Sequence, residues 1–247
     1  MTIDITNPSI IAVIINTILL GIAFLLPKKL LTPAGYLNAW LLGVIVWGSL
    51  GWRAYVVVLF YFFVGSAVTR IGMARKEAEG IAEKRSGMRG PENVWGSALI
   101  ASICAILSLL LPEPWPGLFI VGYVASFATK LADTTASEVG KAYGKRTFLI
   151  TTLQSVPRGT EGAVSLEGTA AGIVGGLSIA LLAWGLGLIT IVGVVWCIIA
   201  AFMATNLESV IGATLQSRYD WLTNELVNVI NTLIGAAVAI ALALTLN

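Results

Sequence analysis

The sequence predicts an all-α integral membrane protein, a polytopic bundle of about eight transmembrane helices with both termini outside the cytoplasm. Three observations carry that prediction. Of 247 residues, 57% are hydrophobic and only 11% charged, with a mean hydropathy of +0.89, whereas about a quarter of a soluble domain is charged. The apolar residues arrive in runs of helical-span length. The basic residues fall on alternate loops, as the positive-inside rule requires of an even-numbered bundle. No polar stretch is long enough to bury its own core, so residues 1–247 read as a single membrane-embedded domain.

The first span covers about 9–26 and ends at Pro27 and the pair Lys28-Lys29. It has no basic leader and no small-residue cleavage site, so Ile10–Leu26 reads as a retained span rather than a signal peptide. Spans two and three, about 35–51 and 53–72, meet at the short turn Gly51-Trp52-Arg53. A charged loop from Arg75 to Glu92 leads into span four, about 94–111. The rigid turn Pro112–Gly117 carries Trp115, a residue suited to the membrane interface. Span five, about 117–138, is followed by a polar loop from Lys141 to Gly162. Spans six and seven, about 165–184 and 188–214, join at Gly185-Leu186-Gly187, and Gln216–Thr223 leads to span eight, about 224–246.

The loops after spans one, three, five and seven hold almost all the cations, from Lys28 and Lys29 to Arg218, while the opposite side has only Arg53. This places the odd-to-even loops in the cytoplasm. A net charge of +2 is too small to suggest nucleic acid. The absence of histidine removes histidine bases, histidine-ligated zinc and any Ser-His-Asp triad. Cys104 and Cys197 lie inside spans and read as small packing residues.

Span five is where the pattern breaks. Its last third carries Lys130, Asp133 and Glu138, and each charge costs a few kcal/mol at membrane depth unless paired or hydrated. Thr129, Asp133 and Ser137 share one helix face at i, i+4, i+8, with Lys130, Thr134 and Glu138 on the adjacent stripe. Two readings stand. Lys130 neutralises a neighbouring carboxylate and nothing more, or the carboxylates hold Mg²⁺ on a nucleotide, since magnesium takes one or two carboxylates plus phosphates and water. Glu208 closes span seven, and Asn224, Asn228 and Asn231 share a face of span eight. These groups lie at one depth on one side, which points to a shared site. The asparagines fit interhelical hydrogen bonding or recognition of a headgroup or base.

Two basic, glycine-containing loops, Lys84–Asn93 and Val156–Ser165, could approach phosphate closely, with Asn93 or Glu92 capping span four. The alternative is an ordinary positive-inside loop attracted to anionic lipid. Gly140–Thr147 is one residue short of a Walker phosphate loop and lacks its preceding strand. Gly168, Gly172 and Gly176 at spacing four read as a helix-packing face.

Taken together, Gly65-Ser66 with Thr69–Gly72, Gly87–Ser97, Ala132–Gly140, Val156–Ser165, Glu208-Ser209 with Gly212–Gln216, and Thr223-Asn224-Glu225 with Asn228 resemble one integral-membrane family. It contains human transmembrane protein 19 and the phytyl-phosphate kinases of tocopherol synthesis, and the Gly-Pro-Glu-Asn-Val-Trp run is similar to the kinase branch. The resemblance implies a kinase that transfers phosphoryl from a nucleoside triphosphate, CTP by its distant relatives, to phytyl or a related prenyl monophosphate. It also implies a bacterial, cyanobacterial-type membrane and a site facing the cytoplasm. On that reading Asp133, Glu138 and Glu208 hold Mg²⁺, and Asp133, Lys130 and Glu138 form the catalytic group. Arg70, Lys84, Arg85, Arg89 and Arg158 clamp phosphates, Thr160 sits beside the same anion, and Asn93, Asn224 and Asn228 orient base, ribose or phosphate. The partners expected are nucleotide, prenyl phosphate and membrane lipid, without nucleic acid; a homodimer is left open. The rivals are a prenol kinase, with Asp133 as base, and a secondary transporter with an intramembrane charged site.

Overall fold

The computed structural model describes residues 7–27, 29–216 and 218–246, so Lys28 lies outside the described residues. It is a helical bundle: α1 (Pro8–Leu25), α2 (Pro33–Thr69), α3 (Met73–Ala78), α4 (Pro91–Leu110), α5 (Trp115–Tyr143), α6 (Leu166–Gly185), α7 (Ile191–Ile211) and α8 (Asn224–Leu246). A two-stranded ladder, β1 (Phe148–Leu149) and β2 (Ala163–Val164), pairs antiparallel in the loop before α6. A single π turn, Gly212–Gln216, extends α7.

Four of the helices, α1, α2, α6 and α7, start where a side chain satisfies one of their first N–H groups. Asn7 and Thr32 each cap a helix whose first residue is proline, Ser165 Oγ accepts from Gly168 N, and Thr190 Oγ1 accepts from Gly193 N. Each such oxygen takes up one of the four N–H groups that a helix start leaves unpaired.

α2 is long enough for two spans and is folded into a hairpin. At 1.5 Å per residue a straight helix of its 37 residues would reach about 55 Å. Gly51 breaks it, with φ 75° and ψ −172°, a conformation open to glycine. The two arms then run back along each other. The rings of Trp47 and Tyr55 are 5.2 Å apart. Gly35 and Gly65 both abut Arg89, although a straight helix would hold them about 45 Å apart. Among the described residues six helices, α1, α2, α4, α6, α7 and α8, are long and apolar enough to cross a membrane; with α2 folded into two arms and α5 at the centre, the bundle has eight helical segments of span length. Ser9, near the start of α1, lies against Gly48 beside the Gly51 turn, and Gly187 lies near Arg53. The start of α1 and the α6–α7 turn thus share one end of the bundle. The charged end of α5 and the start of α8 share the other.

α5 is the axis. Tyr123, Phe127 and Leu131 are completely buried, and the Tyr123 hydroxyl donates to Ala54 O at 2.8 Å, which satisfies it in an apolar core. α6 lies so close to α5 that only glycine fits between them. A Cβ on Gly168 would stand 2.6 Å from Ala136 O, and one on Gly175 would stand 2.3 Å from Thr135 Oγ1. The glycine face read from the sequence is a helix-packing face, and it meets the backbone of α5.

The segment between α2 and α4, expected as a loop, contains α3. This short helix is fastened to the bundle by charge: Lys76 and Glu138 form an ion pair with both side chains almost wholly buried. Lys76 also donates to Thr69 O at 2.7 Å. Arg75 and Arg158 both bind Glu79, at 2.9 and 2.8 Å, and so lock α3 to the loop preceding β2.

Four variants test these features. Gly175→Leu overpacks the α5–α6 seam and lowers the unfolding midpoint in detergent, a cost of roughly 1–3 kcal/mol or more; Gly21→Ala, with nothing within 4 Å of the added carbon, leaves the midpoint unchanged. Lys76→Met leaves the buried Glu138 carboxylate only the more distant Lys141, at 3.7 Å, and costs up to roughly 3–5 kcal/mol. The double variant Lys76→Met/Glu138→Leu recovers most of that loss, measured by the same thermal unfolding.

Candidate functional site

A cavity of about 830 Å³ opens at the charged end of α5. Its floor is made where α5, α7 and α8 converge. Lys130 Nζ donates to Asp133 Oδ2 at 2.6 Å and to Asn228 Oδ1 at 2.8 Å. The Glu208 carboxyl stands beside both Asp133 and Lys130. Lys130 and Asn228 are 98 positions apart in the chain, and all four residues line the cavity. The Lys130–Asp133 pair weighed from the sequence therefore exists, but it belongs to a larger group and does not close on itself.

The rim is cationic. Lys84, Arg85 and Arg89 line it from the segment before α4. Arg85 and Ser86 adopt left-handed backbone conformations, φ 54° and 49°, uncommon for residues with side chains. Arg85 Nη2 pairs with Glu92 and donates to Asn93 Oδ1 at 3.0 Å. Asn93 Oδ1 also accepts from Gly90 N at 2.9 Å, so it caps α4 as expected. Arg89 Nη1 donates to the Tyr61 hydroxyl at 3.0 Å, and that hydroxyl donates to Ser97 Oγ at 2.9 Å. The guanidinium stands over the Tyr61 ring, 5.0 Å from its centroid. A Cβ on Gly65 would come within 2.7 Å of Arg89 Nη2, so the glycine leaves the space that the guanidinium fills. Thr160 and Asn224 complete the walls.

Three expected residues are used differently. Arg70 is exposed, donates to Ser66 O at 3.3 Å and does not line the cavity. Arg158 is held by Glu79 and also lies outside the lining. Glu138 lines the cavity, but Lys76 and Lys141, the latter at 3.7 Å, take its carboxylate, so it serves as an anchor for α3 rather than as an open ligand. Of the three asparagines on α8, Asn231 is fully buried and does not line the cavity. Tyr61, Lys141 and Glu161 do line it and were not anticipated as site residues; Glu225, which opens span eight beside Asn224, lines it too. Glu161 directly follows the expected Thr160. Tyr61 sits in an apolar run that gives no sign of its role.

The donor set decides what metal chemistry fits. Among the described residues no three Asp, Glu or Cys side chains cluster to hold a metal. With Glu138 occupied, Asp133 and Glu208 remain as neighbouring carboxylates. That suits magnesium shared with substrate phosphates and water, and does not suit a cation caged wholly by protein. Cations at the rim and a carboxylate pair at the floor can hold a polyanion together with a divalent ion.

Residues 16–236 match the family model of integral membrane protein DUF92. An uncharacterized membrane protein of Synechocystis sp. is 67% identical over 96% of this chain and 92% of its own length. The chloroplastic protein VTE6 of Arabidopsis thaliana is 45% identical over 85% of this chain, which spans 64% of that relative's length. An uncharacterized membrane protein of Methanocaldococcus jannaschii is 31% identical over 98% of both chains. No solved structure matches. With the family model covering nearly all of the eight-span bundle and its cavity, this chain belongs to the DUF92 family of integral membrane proteins.

Proposed function

We propose that this protein transfers the terminal phosphoryl group of a nucleoside triphosphate, CTP by the family resemblance, to phytyl or a related prenyl monophosphate, in the service of tocopherol and prenyl-lipid synthesis. The observation that carries the reading is the single cavity in which Lys84, Arg85, Arg89 and Lys130 surround the Asp133–Glu208 pair. Its volume lies in the range of small-molecule sites. The similarity to the chloroplastic protein VTE6 supports a prenyl-lipid role.

Phosphoryl transfer asks mainly for positioning and charge neutralisation. In this reaction an oxygen of the acceptor phosphate forms a new bond to the terminal phosphorus of the donor. The bridging P–O bond breaks, the nucleoside diphosphate leaves, and the prenyl diphosphate remains. The acceptor oxygen is already ionised, so no base has to remove a proton, in keeping with a chain that has no histidine.

Asp133 and Glu208 would hold magnesium, which when bound offsets charge on the transferring phosphates. Lys130 is fixed by Asp133 and Asn228 with its ammonium directed into the cavity, ready to meet charge that builds on the transferring group. Arg85 and Arg89 supply planar donor arrays suited to phosphate. Asn224 and Thr160 stand where base, ribose or acceptor can be oriented. The cationic end of the bundle faces the cytoplasm on the positive-inside rule, where nucleotide is supplied.

Asp133→Asn is expected to abolish transfer while the protein still inserts and elutes as a folded species, and full activity in that variant would sink the assignment. Lys130→Met lowers kcat by about 10²–10³, the usual size of losing one such electrostatic contact. Arg70→Ala, at an exposed position off the cavity, changes kcat/KM by no more than about twofold. A radiolabelled assay with four nucleoside triphosphates, with and without magnesium, on phytyl phosphate and phytol side by side, checks donor, metal and acceptor together. Flux in proteoliposomes without nucleotide would instead favour a transporter.

A further inference from the structure

A second cavity, of about 260 Å³, lies between α1, both arms of α2 and α4. Leu20, Ala23, Leu42, Val58, Phe62 and Ala98 give it an apolar lining. The tyrosines in its wall are already satisfied: Tyr36 donates to Ala23 O at 3.0 Å and Tyr55 to Asn16 Oδ1 at 2.9 Å. Tyr61, Arg89, Asn93 and Ser97 line both this cavity and the polar one. The two spaces therefore meet at one neck, apolar on one side and cationic on the other.

The neck is built to stay in place. Arg89 N donates to Leu30 O and Arg89 O accepts from Thr32 N, both at 3.0 Å, which ties it to the α1–α2 connection. Among the described residues the Arg89 guanidinium makes one side-chain hydrogen bond, to Tyr61. A guanidinium has five donors, so several remain for a ligand.

We infer that this neck binds an anionic lipid across the two cavities, with the phosphate on Arg89 and the head-proximal part of the hydrocarbon chain in the apolar cavity. The inference rests on the lipid-phosphate reading above and gives that substrate its place. Charge complementarity selects the headgroup, and continuity between the cavities selects an amphiphile over a wholly polar or wholly apolar ligand. At about 30 Å³ per heavy atom, the share of a liquid water, the apolar cavity takes roughly nine atoms. A longer chain has to continue outward past α1. That helix rests mainly on α2 through the Asn16–Tyr55 bond and the close seat of Asn16 on Gly43, while Ile14, Ile18 and Ile22 on its outer face are exposed to lipid.

The test uses the full chain in nanodiscs and a prenyl phosphate carrying a diazirine near its headgroup, without nucleotide. Light is expected to mark Ala23, Leu42 or Ala98, saturably, with competition by unlabelled prenyl phosphate and not by the matching alcohol. Arg89→Gln should reduce labelling by about tenfold. Ala39→Trp, which fills the apolar cavity, should lower the ratio of kcat/KM for a long-chain over a short-chain prenyl phosphate by about tenfold. Labels confined to outward residues such as Ile14 and Leu41, equal competition by the alcohol, or an unchanged chain-length ratio in Ala39→Trp would overturn the inference. Labelling in the cavity with no transfer from any nucleotide would count against the kinase reading and support this one. Transfer without such labelling would do the reverse.

Discussion

An unpaired charge cannot remain inside an apolar bundle, and this single constraint arranges most of the molecule. α5 brings Lys130, Asp133 and Glu138 to membrane depth, and each calls for a partner from elsewhere in the chain. Glu138 draws Lys76, and with it α3, down onto the bundle. Lys130 draws Asn228 and so fixes the start of α8. Glu208 brings the end of α7 to the same place. Replacing the whole set with apolar residues would be compatible with stability. Lys130, Asp133 and Glu208 are therefore better understood as a site that the fold accommodates, while Glu138 with Lys76 holds α3 in place.

The two sides of α5 answer different needs. Towards α6 it is packed backbone to backbone, with glycine where any side chain would collide, so that wall has little freedom to move. Towards the polar end it is covered by short elements: α3, the turn at Lys84–Gly87 and the β1–β2 ladder. These are held by ion pairs and loop contacts rather than by long apolar seams, and their cations other than the buried Lys76 are partly exposed. Under the proposed function, carboxylates on long helices would keep a metal position constant while cations on short segments admit and release polyanions.

What could be read from the sequence follows from the range of each interaction. Spans were legible because an apolar run of helical length has few other uses, and the α2 hairpin was legible because Gly51-Trp52-Arg53 interrupts such a run. α3 was not, since six residues give no period to detect. The β1–β2 ladder, two residues a strand, leaves no alternation to detect. Among the candidate residues on spans, Lys130, Asp133, Glu208 and Asn228 line one cavity, whereas Arg70 lies off it and Glu138 is taken by Lys76. The loop cations were harder. Arg158 and Arg89 look alike in sequence, yet one is neutralised by Glu79 across 79 positions and the other stands at the cavity neck. A basic residue in a loop shows its sign but not its partner. Lys76 shows the same limit from the other side, because it counts as one more positive-inside charge until Glu138 is seen against it.

The neck at Arg89 links the fold to the chemistry. On the proposed function, a lipid phosphate with its reactive end in water and its affinity in the membrane has to be held without opening the bilayer to the cavity. Two adjoining spaces, one apolar and one cationic, with four lining residues in common, would divide those tasks. Arg89 can serve both because two glycine-dependent contacts surround it: Gly65 makes room for the guanidinium and Gly35 for the carbonyl. The next residue, Gly90, begins the capped turn into α4. The position of Arg89 is thus set by backbone packing and not by the ligand. A headgroup arriving from the membrane would meet a cation already in place, and the main ordering cost would fall on the lipid chain and not on the protein.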